Sequence, residues 1–147
     1  DCLPLLLCDK AGTQVAAVHA GWRSLAGGVI SQTVKAFSCS ADDILVYLGP
    51  AISQPHFEVG IEVLEAFFDA AKTPAQGEAV SAAFTASKYK PMHFCADLYA
   101  LARAELAMLG VGAVYGGDYC TLTTPETFYS YRRDGETGRM ASLISLV

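Results

Sequence analysis

The sequence predicts an α+β fold: mixed β-sheets with flanking helices, packed in layers as a single domain. Three observations predict it. Short Leu- and Val-rich runs of strand length recur along the chain. Between them lie longer segments whose apolar residues repeat at helical spacing. No internal repeat or linker interrupts the 147 residues, a length that suits one core.

The first element is a hairpin. Leu5 to Cys8 and Gln14 to Ala20 read as buried strands, and Asp9-Lys10-Ala11-Gly12 between them has turn composition. A four-residue loop closed by Cys8 opposite Thr13, around a type I turn, sets Cys2 opposite His19. Opposed side chains share a face with Cβ atoms about 4.5–5.5 Å apart. A metal ion with bonds of about 2.3 Å to sulfur and about 2.0–2.1 Å to nitrogen bridges such a gap. A slip of one residue would put the two groups on opposite faces. On spacing alone the commoner roles stay open too: a small buried hydrophobe for the thiol and a backbone-bonded core residue for the imidazole. A catalytic zinc also needs a third protein ligand, which must come from elsewhere.

Beyond the hairpin, Leu25-Ala26-Gly27-Gly28 is flexible, and Val29 to Phe37 reads as a helix with Val29, Ile30, Val34 and Phe37 on one face. Free N–H groups at its start, with Arg23 nearby, would suit phosphate or another oxyanion; a surface ion pair is the alternative role for Arg23. Trp22, the only tryptophan, walls a pocket or the core. Ile44 to Leu48 is a buried strand that ends at Gly49-Pro50, where the chain leaves the sheet. A loop from Ser53 carries Glu58, whose structural alternative is to cap the helix Ile61 to Ala71, with its stripe of Ile61, Leu64, Phe67 and Phe68. Lys72 to Ala83 lacks pattern, with an exposed loop over 73–78, and Lys88 to Met92 is an irregular edge. Asp97 caps a helix that runs to Leu109, closes at Gly110 and buries Leu98, Leu101, Ala102, Leu106 and Leu109. Val111 to Tyr115 is a short strand. Thr127 to Arg132 and Arg139 to Val147 form a final hairpin, in which Arg132 and Arg133 point to opposite faces, so that one at most enters a pocket.

Composition narrows the class. Apolar residues make up 52% and charged ones 17%, which suits a piece that has lost a packing partner. A net charge of −5 argues against nucleic acid or anionic membrane as partner. No apolar run approaches the roughly 20 residues of a membrane helix, and no signal peptide is seen. Five cysteines without a repeating frame suggest a cytoplasmic protein in which Cys8, Cys39 and Cys95 are reduced, buried thiols and Cys120 is structural.

Motifs then supply a resemblance. Asp1-Cys2-Leu3-Pro4, His19-Ala20-Gly21-Trp22-Arg23, Leu48-Gly49-Pro50-Ala51-Ile52, Phe57-Glu58-Val59-Gly60, Asp97-Leu98-Tyr99, Gly117-Asp118-Tyr119-Cys120-Thr121, and Phe128-Tyr129-Ser130-Tyr131-Arg132-Arg133 with Thr137-Gly138-Arg139 follow one another along the chain. In this it resembles the family variously described as multicopper polyphenol oxidase or laccase domain, peptidoglycan editing factor, and purine nucleoside phosphorylase. The resemblance implies a CNF1/YfiH-like fold and a zinc site, with copper as the alternative metal, built from one Cys and two His. Cys2 and His19 match two of those ligands. The other His of the family precedes the Asp-Cys-Leu-Pro motif, and neither His56 nor His93 sits at its motif. The chain therefore reads as the C-terminal part of a longer domain whose upstream segment is missing.

The expected function is zinc-dependent purine nucleoside phosphorylase with adenosine deaminase activity, acting on a purine nucleoside and phosphate. Cys2, His19, Arg23 and Glu58 are the expected catalytic residues, Glu58 because the family places an acid there. Gly21, Trp22, Pro50, Arg132 and Arg133 are the expected substrate contacts. Three alternatives stand beside it: copper-dependent polyphenol oxidase, a hydrolase editing peptidoglycan precursors, and an interaction domain with structural zinc. Oxidation ranks lower because three histidines are too few for a multicopper centre.

Overall fold

Alternating burial along the first strand organises the molecule. The computed structural model describes residues 1–147. In β1 (Leu3–Asp9), Leu3, Leu5, Leu7 and Asp9 are buried, while Pro4, Leu6 and Cys8 lie half-buried on the other face. β1 pairs antiparallel with β2 (Val15–Ala20) on one side and with β3 (Ile44–Leu48) on the other. β7 (Ala113–Gly116) adds in parallel beyond β3, giving the order β2-β1-β3-β7. A second sheet, β4-β6-β5, is built from β4 (Glu58–Gly60), β5 (Phe84–Ala86) and β6 (His93–Ala96).

The hairpin is in a different register from the one predicted. Cys8 pairs with Val15, not Thr13, and Pro4 with His19. Asp9 causes the shift: its carboxylate accepts from Thr13 N–H (2.7 Å), Thr13 Oγ–H (2.5 Å) and Gln14 N–H (2.9 Å), and its own N–H donates to Gln14 O (3.1 Å), so the four-residue loop is closed by Asp9 and Gln14. The error is two residues. Because side chains alternate with period two, Cys2 and His19 keep a common face.

Helices cover the inner faces. α1 (Trp22–Ala26) takes in Leu25 and Ala26 of the predicted flexible stretch, whose Gly27 and Gly28 link it to α2 (Val29–Ala36). α3 (Ile61–Ala70) buries Val63 and Phe67 but leaves Phe68 exposed. α4 (Pro74–Ala83) corrects the loop expected there: Thr73 and Gln76 form a capping box and Pro74 occupies the first turn. α5 (Leu98–Met108) is capped by Asp97, which accepts from Ala100 N–H (2.9 Å), and stops at Gly110 with φ +87°. Its Leu98, Leu101, Ala102 and Leu106 are buried in a core of 25 residues running from Leu3 to Val111.

The end of the chain also departs from expectation. In place of a hairpin there is one short helix, α6 (Tyr131–Asp134), and 139–147 form no strand. Arg132 N–H is taken by the Asp1 carboxylate (2.8 Å), and Ser130 Oγ caps α6 through Arg133 N–H (3.2 Å), which withdraws this backbone from a ladder.

Candidate active site

Cys2 and His19 project from the outer face of the β1–β2 hairpin, both exposed. A Cβ placed on Gly21 would stand 3.1 Å from Cys2 Sγ and 3.5 Å from His19 Nε2, so sulfur and ring nitrogen converge on the space that this glycine leaves open. Ser24 Oγ–H reaches His19 O (2.7 Å) and Gly21 O (3.0 Å), fixing the corner between β2 and α1. A thiolate and an imidazole are donors that zinc and copper both accept, so the pair fits part of a metal site. No group of three or more His, Cys, Asp or Glu residues converges within the chain, so the pair is not a full ligand set.

The pair opens onto a cleft of about 880 Å³. One wall is the hairpin face, with Pro4 and Leu6; the other comes from Phe57 and the segment Thr127–Ser142. Asp1 holds the walls together. Its Oδ1 accepts from Thr121 Oγ–H (2.6 Å) and Ser130 Oγ–H (2.8 Å), its Oδ2 from Arg132 N–H, and its carbonyl from Ile52 N–H (2.9 Å). Thr121 and Ser130 are fully buried, so this carboxylate satisfies hydroxyls that would otherwise be unpaired.

The expected site residues do not all meet. Cys2, His19, Pro50 and Arg132 line the cleft, with Gly21 between the two donors. Arg132 Nη1 donates to Glu58 O (2.7 Å), and its guanidinium lies 5.5 Å from the Phe57 ring centre. Arg23 is exposed, stacks over Trp22 at 4.3 Å and does not line the cleft. The helix start expected to hold an oxyanion with it already has a carboxylate: Ser31 N–H of α2 donates to Glu105 Oε1 (3.1 Å). Arg133 faces away, donating to Thr121 O, Leu122 O and Phe128 O and pairing with Asp134 at 2.7 Å.

Glu58 begins β4 and caps no helix. Its carboxylate accepts from Ser87 Oγ–H (2.5 Å) and meets Lys90 Nζ at 3.1 Å. The Ser87 hydroxyl, and then Lys90, hold it below the usual carboxylate range, so it stays ionised and is a poor proton donor near neutral pH. Glu58 does not line the cleft, but its carbonyl anchors Arg132, which does.

The other thiols differ from expectation in detail. Cys8, Cys39 and Cys95 are half-buried, and none of the five cysteines is paired. Burial pushes the Cys120 thiol up, but hydrogen bonds from Ser53 and Thr123 outweigh it and bring its pKa down to about 7. Sequence reasoning passed over Asp1, Tyr129, Tyr131 and Arg139 as members of the cleft. Three of its own motifs contain them, which was the available signal.

Taken together, the two sheets and the thiol–imidazole pair define an α+β domain with a concave candidate site large enough for a small molecule. Comparison with known proteins agrees. The chain belongs to the family described as multi-copper polyphenol oxidoreductase laccase, whose model matches residues 1–147. It is 52% identical over 147 residues to purine nucleoside phosphorylase YfiH of Escherichia coli, covering 100% of this chain and 57% of that protein. It is 51% identical over 146 residues to purine nucleoside phosphorylase PA4543 of Pseudomonas aeruginosa, covering 99% and 57%. The chain thus spans a little over half the length of these relatives. The crystal structure of Neisseria meningitidis protein NMB0706 superposes with a TM-score of 0.85 at 52% identity, covering 94% of this chain and 54% of that one. YlmD of Geobacillus stearothermophilus gives 0.78 at 26% identity, covering 92% and 50%. No helix is long and apolar enough to cross a membrane.

Proposed function

We propose that this chain is the C-terminal part of a purine nucleoside phosphorylase, completed by a segment outside these residues, that also deaminates adenosine. The observation that carries the proposal is the cleft itself, where a thiol–imidazole pair, aromatic rings and arginines face one space. In the reaction, a phosphate oxygen forms a bond to C1′ of the nucleoside while the bond from C1′ to the purine nitrogen breaks. The electron pair leaves with the base, which takes up a proton, and the sugar departs as its 1-phosphate.

The residues divide this work. Tyr131, exposed at the cleft, offers a ring face for the purine, and Arg132, held by Glu58 O over the buried Phe57 ring, supplies positive charge. Cys2 and His19, with one ligand from outside this chain, would hold zinc, or copper in its place, which supplies Lewis acidity when bound. Deamination exchanges the 6-amino group for oxygen from water and consumes no phosphate, so phosphate dependence separates the two activities. That only His19 among three histidines lines the cleft supports group transfer over phenol oxidation. Five unpaired thiols suit a reducing compartment, and we place the protein in the cytoplasm.

The test is to incubate the full-length protein with inosine, with and without phosphate. Hypoxanthine and sugar 1-phosphate in equal amounts, and only with phosphate, are the expected products. Free ribose formed without phosphate would mark a hydrolase instead, and absence of any base release would end the reading.

A further inference from the structure

Resting on the phosphorolysis reading, we infer that Arg139 and Arg132 are the phosphate-holding pair of the cleft. The ion pairs of the molecule are Lys10 with Asp43, Lys90 with Glu58 and Arg133 with Asp134. Arg132 and Arg139 line the cleft and neither has a carboxylate partner. Asp1, the one acid lining the cleft, already accepts three hydrogen bonds from Thr121, Ser130 and Arg132 N–H. In a chain of net charge −5, two guanidiniums without an ion-pair partner outnumber the single Asp1 carboxylate in this concavity, a local positive balance that favours an anion.

Local backbone presents Arg139 to the cleft. Gly135, with φ +71°, turns the chain after α6, and residues 137–142 return along the cleft wall. A Cβ on Gly138 would lie 2.6 Å from the Tyr129 ring, so only glycine lets the backbone pack against that ring beside Arg139. Arg139 Nη1 donates only to Thr137 O and Gly138 O, both at 3.2 Å, which leaves most of its donors free. Arg132 keeps donors free after its bond to Glu58 O. The planar fork of each side chain suits two oxygens of one phosphate. Arg23 and the start of α2, the sites expected from sequence, lie off the cleft or hold Glu105.

The experiment uses full-length protein and inorganic phosphate. Arg139→Ala is expected to raise KM for phosphate by about tenfold or more while KM for inosine stays within about twofold. Arg139→Lys, which keeps the charge but loses the fork, should fall between Arg139→Ala and the wild type. Direct titration of inorganic phosphate by calorimetry, without nucleoside, should show binding in the wild type and its loss in Arg139→Ala. An unchanged KM for phosphate, or an equal rise in both KM values, overturns the assignment. If the wild type binds phosphate through Arg139 yet releases no base from inosine, the phosphorolysis reading fails and the anion site stands. If the wild type phosphorolyses inosine and Arg139→Ala binds phosphate normally, the site fails and the reading stands.

Discussion

Gly21 is conspicuous for what it lacks: the space a side chain would fill is where Cys2 Sγ and His19 Nε2 converge. Replacing one donor should therefore remove most of the affinity. Cys2→Ala in full-length protein is expected to carry little zinc by elemental analysis, and equal zinc in variant and wild type would show that the pair holds no metal. Glu105 offers a test of electrostatics away from the cleft. Burial pushes its carboxyl up, against the opposing effect of Ser31 N–H. A carboxylate raised on folding costs stability once the pH exceeds the unfolded value, and the cost disappears as the pH falls below it. Glu105→Gln keeps an acceptor for Ser31 and removes the charge. Its melting temperature should equal or exceed that of the wild type at pH 7, and the difference should vanish near pH 4.

Among the elements, the β1–β2 hairpin and the tail after α6 make the cleft between them. Gly138→Ala would drive the Tyr129 ring from its place while touching no core residue. Melting temperature should hardly move, and KM for nucleoside should rise severalfold in steady-state assays. The sequence made some elements plain and concealed others for physical reasons. α5 could be read nearly residue by residue, since Asp97, an apolar stripe and Gly110 agree on its limits. α4 was concealed because only Val80 and Ala83 are buried, too few to set a period, although Thr73 and Gln76 carried a capping signal. The hairpin register was misread because the Asp9 carboxylate substitutes for ladder bonds in the turn, yet parity kept Cys2 and His19 on one face. The positions of Arg23 and Glu58 were not legible because their neighbours in space, Trp22 for one and Ser87 with Lys90 for the other, engage them away from the cleft. Arg139 was passed over because it was read as the first residue of a final strand, and a strand position alone does not place a side chain in a cleft.

For the molecule as a whole, the core is separable from the part of the cleft wall that the tail supplies. All 25 buried apolar core residues lie at or before Val111, whereas much of the cleft's second wall comes after Thr127. Removing 127–147 from the full-length protein should leave a cooperative thermal transition, lowered by the loss of the bonds to Asp1, and should abolish base release. Loss of the transition itself would show that the tail belongs to the folding unit. The bonds from Asp1 to Thr121, Ser130 and Arg132 span 120, 129 and 131 residues of chain. Contacts this distant in sequence form late, after hairpins and helices have closed. On the ribosome, then, the core strands and helices would already be folded before residues 121–132 emerge to bond to Asp1, so the second wall of the cleft is added to a globule that is in place.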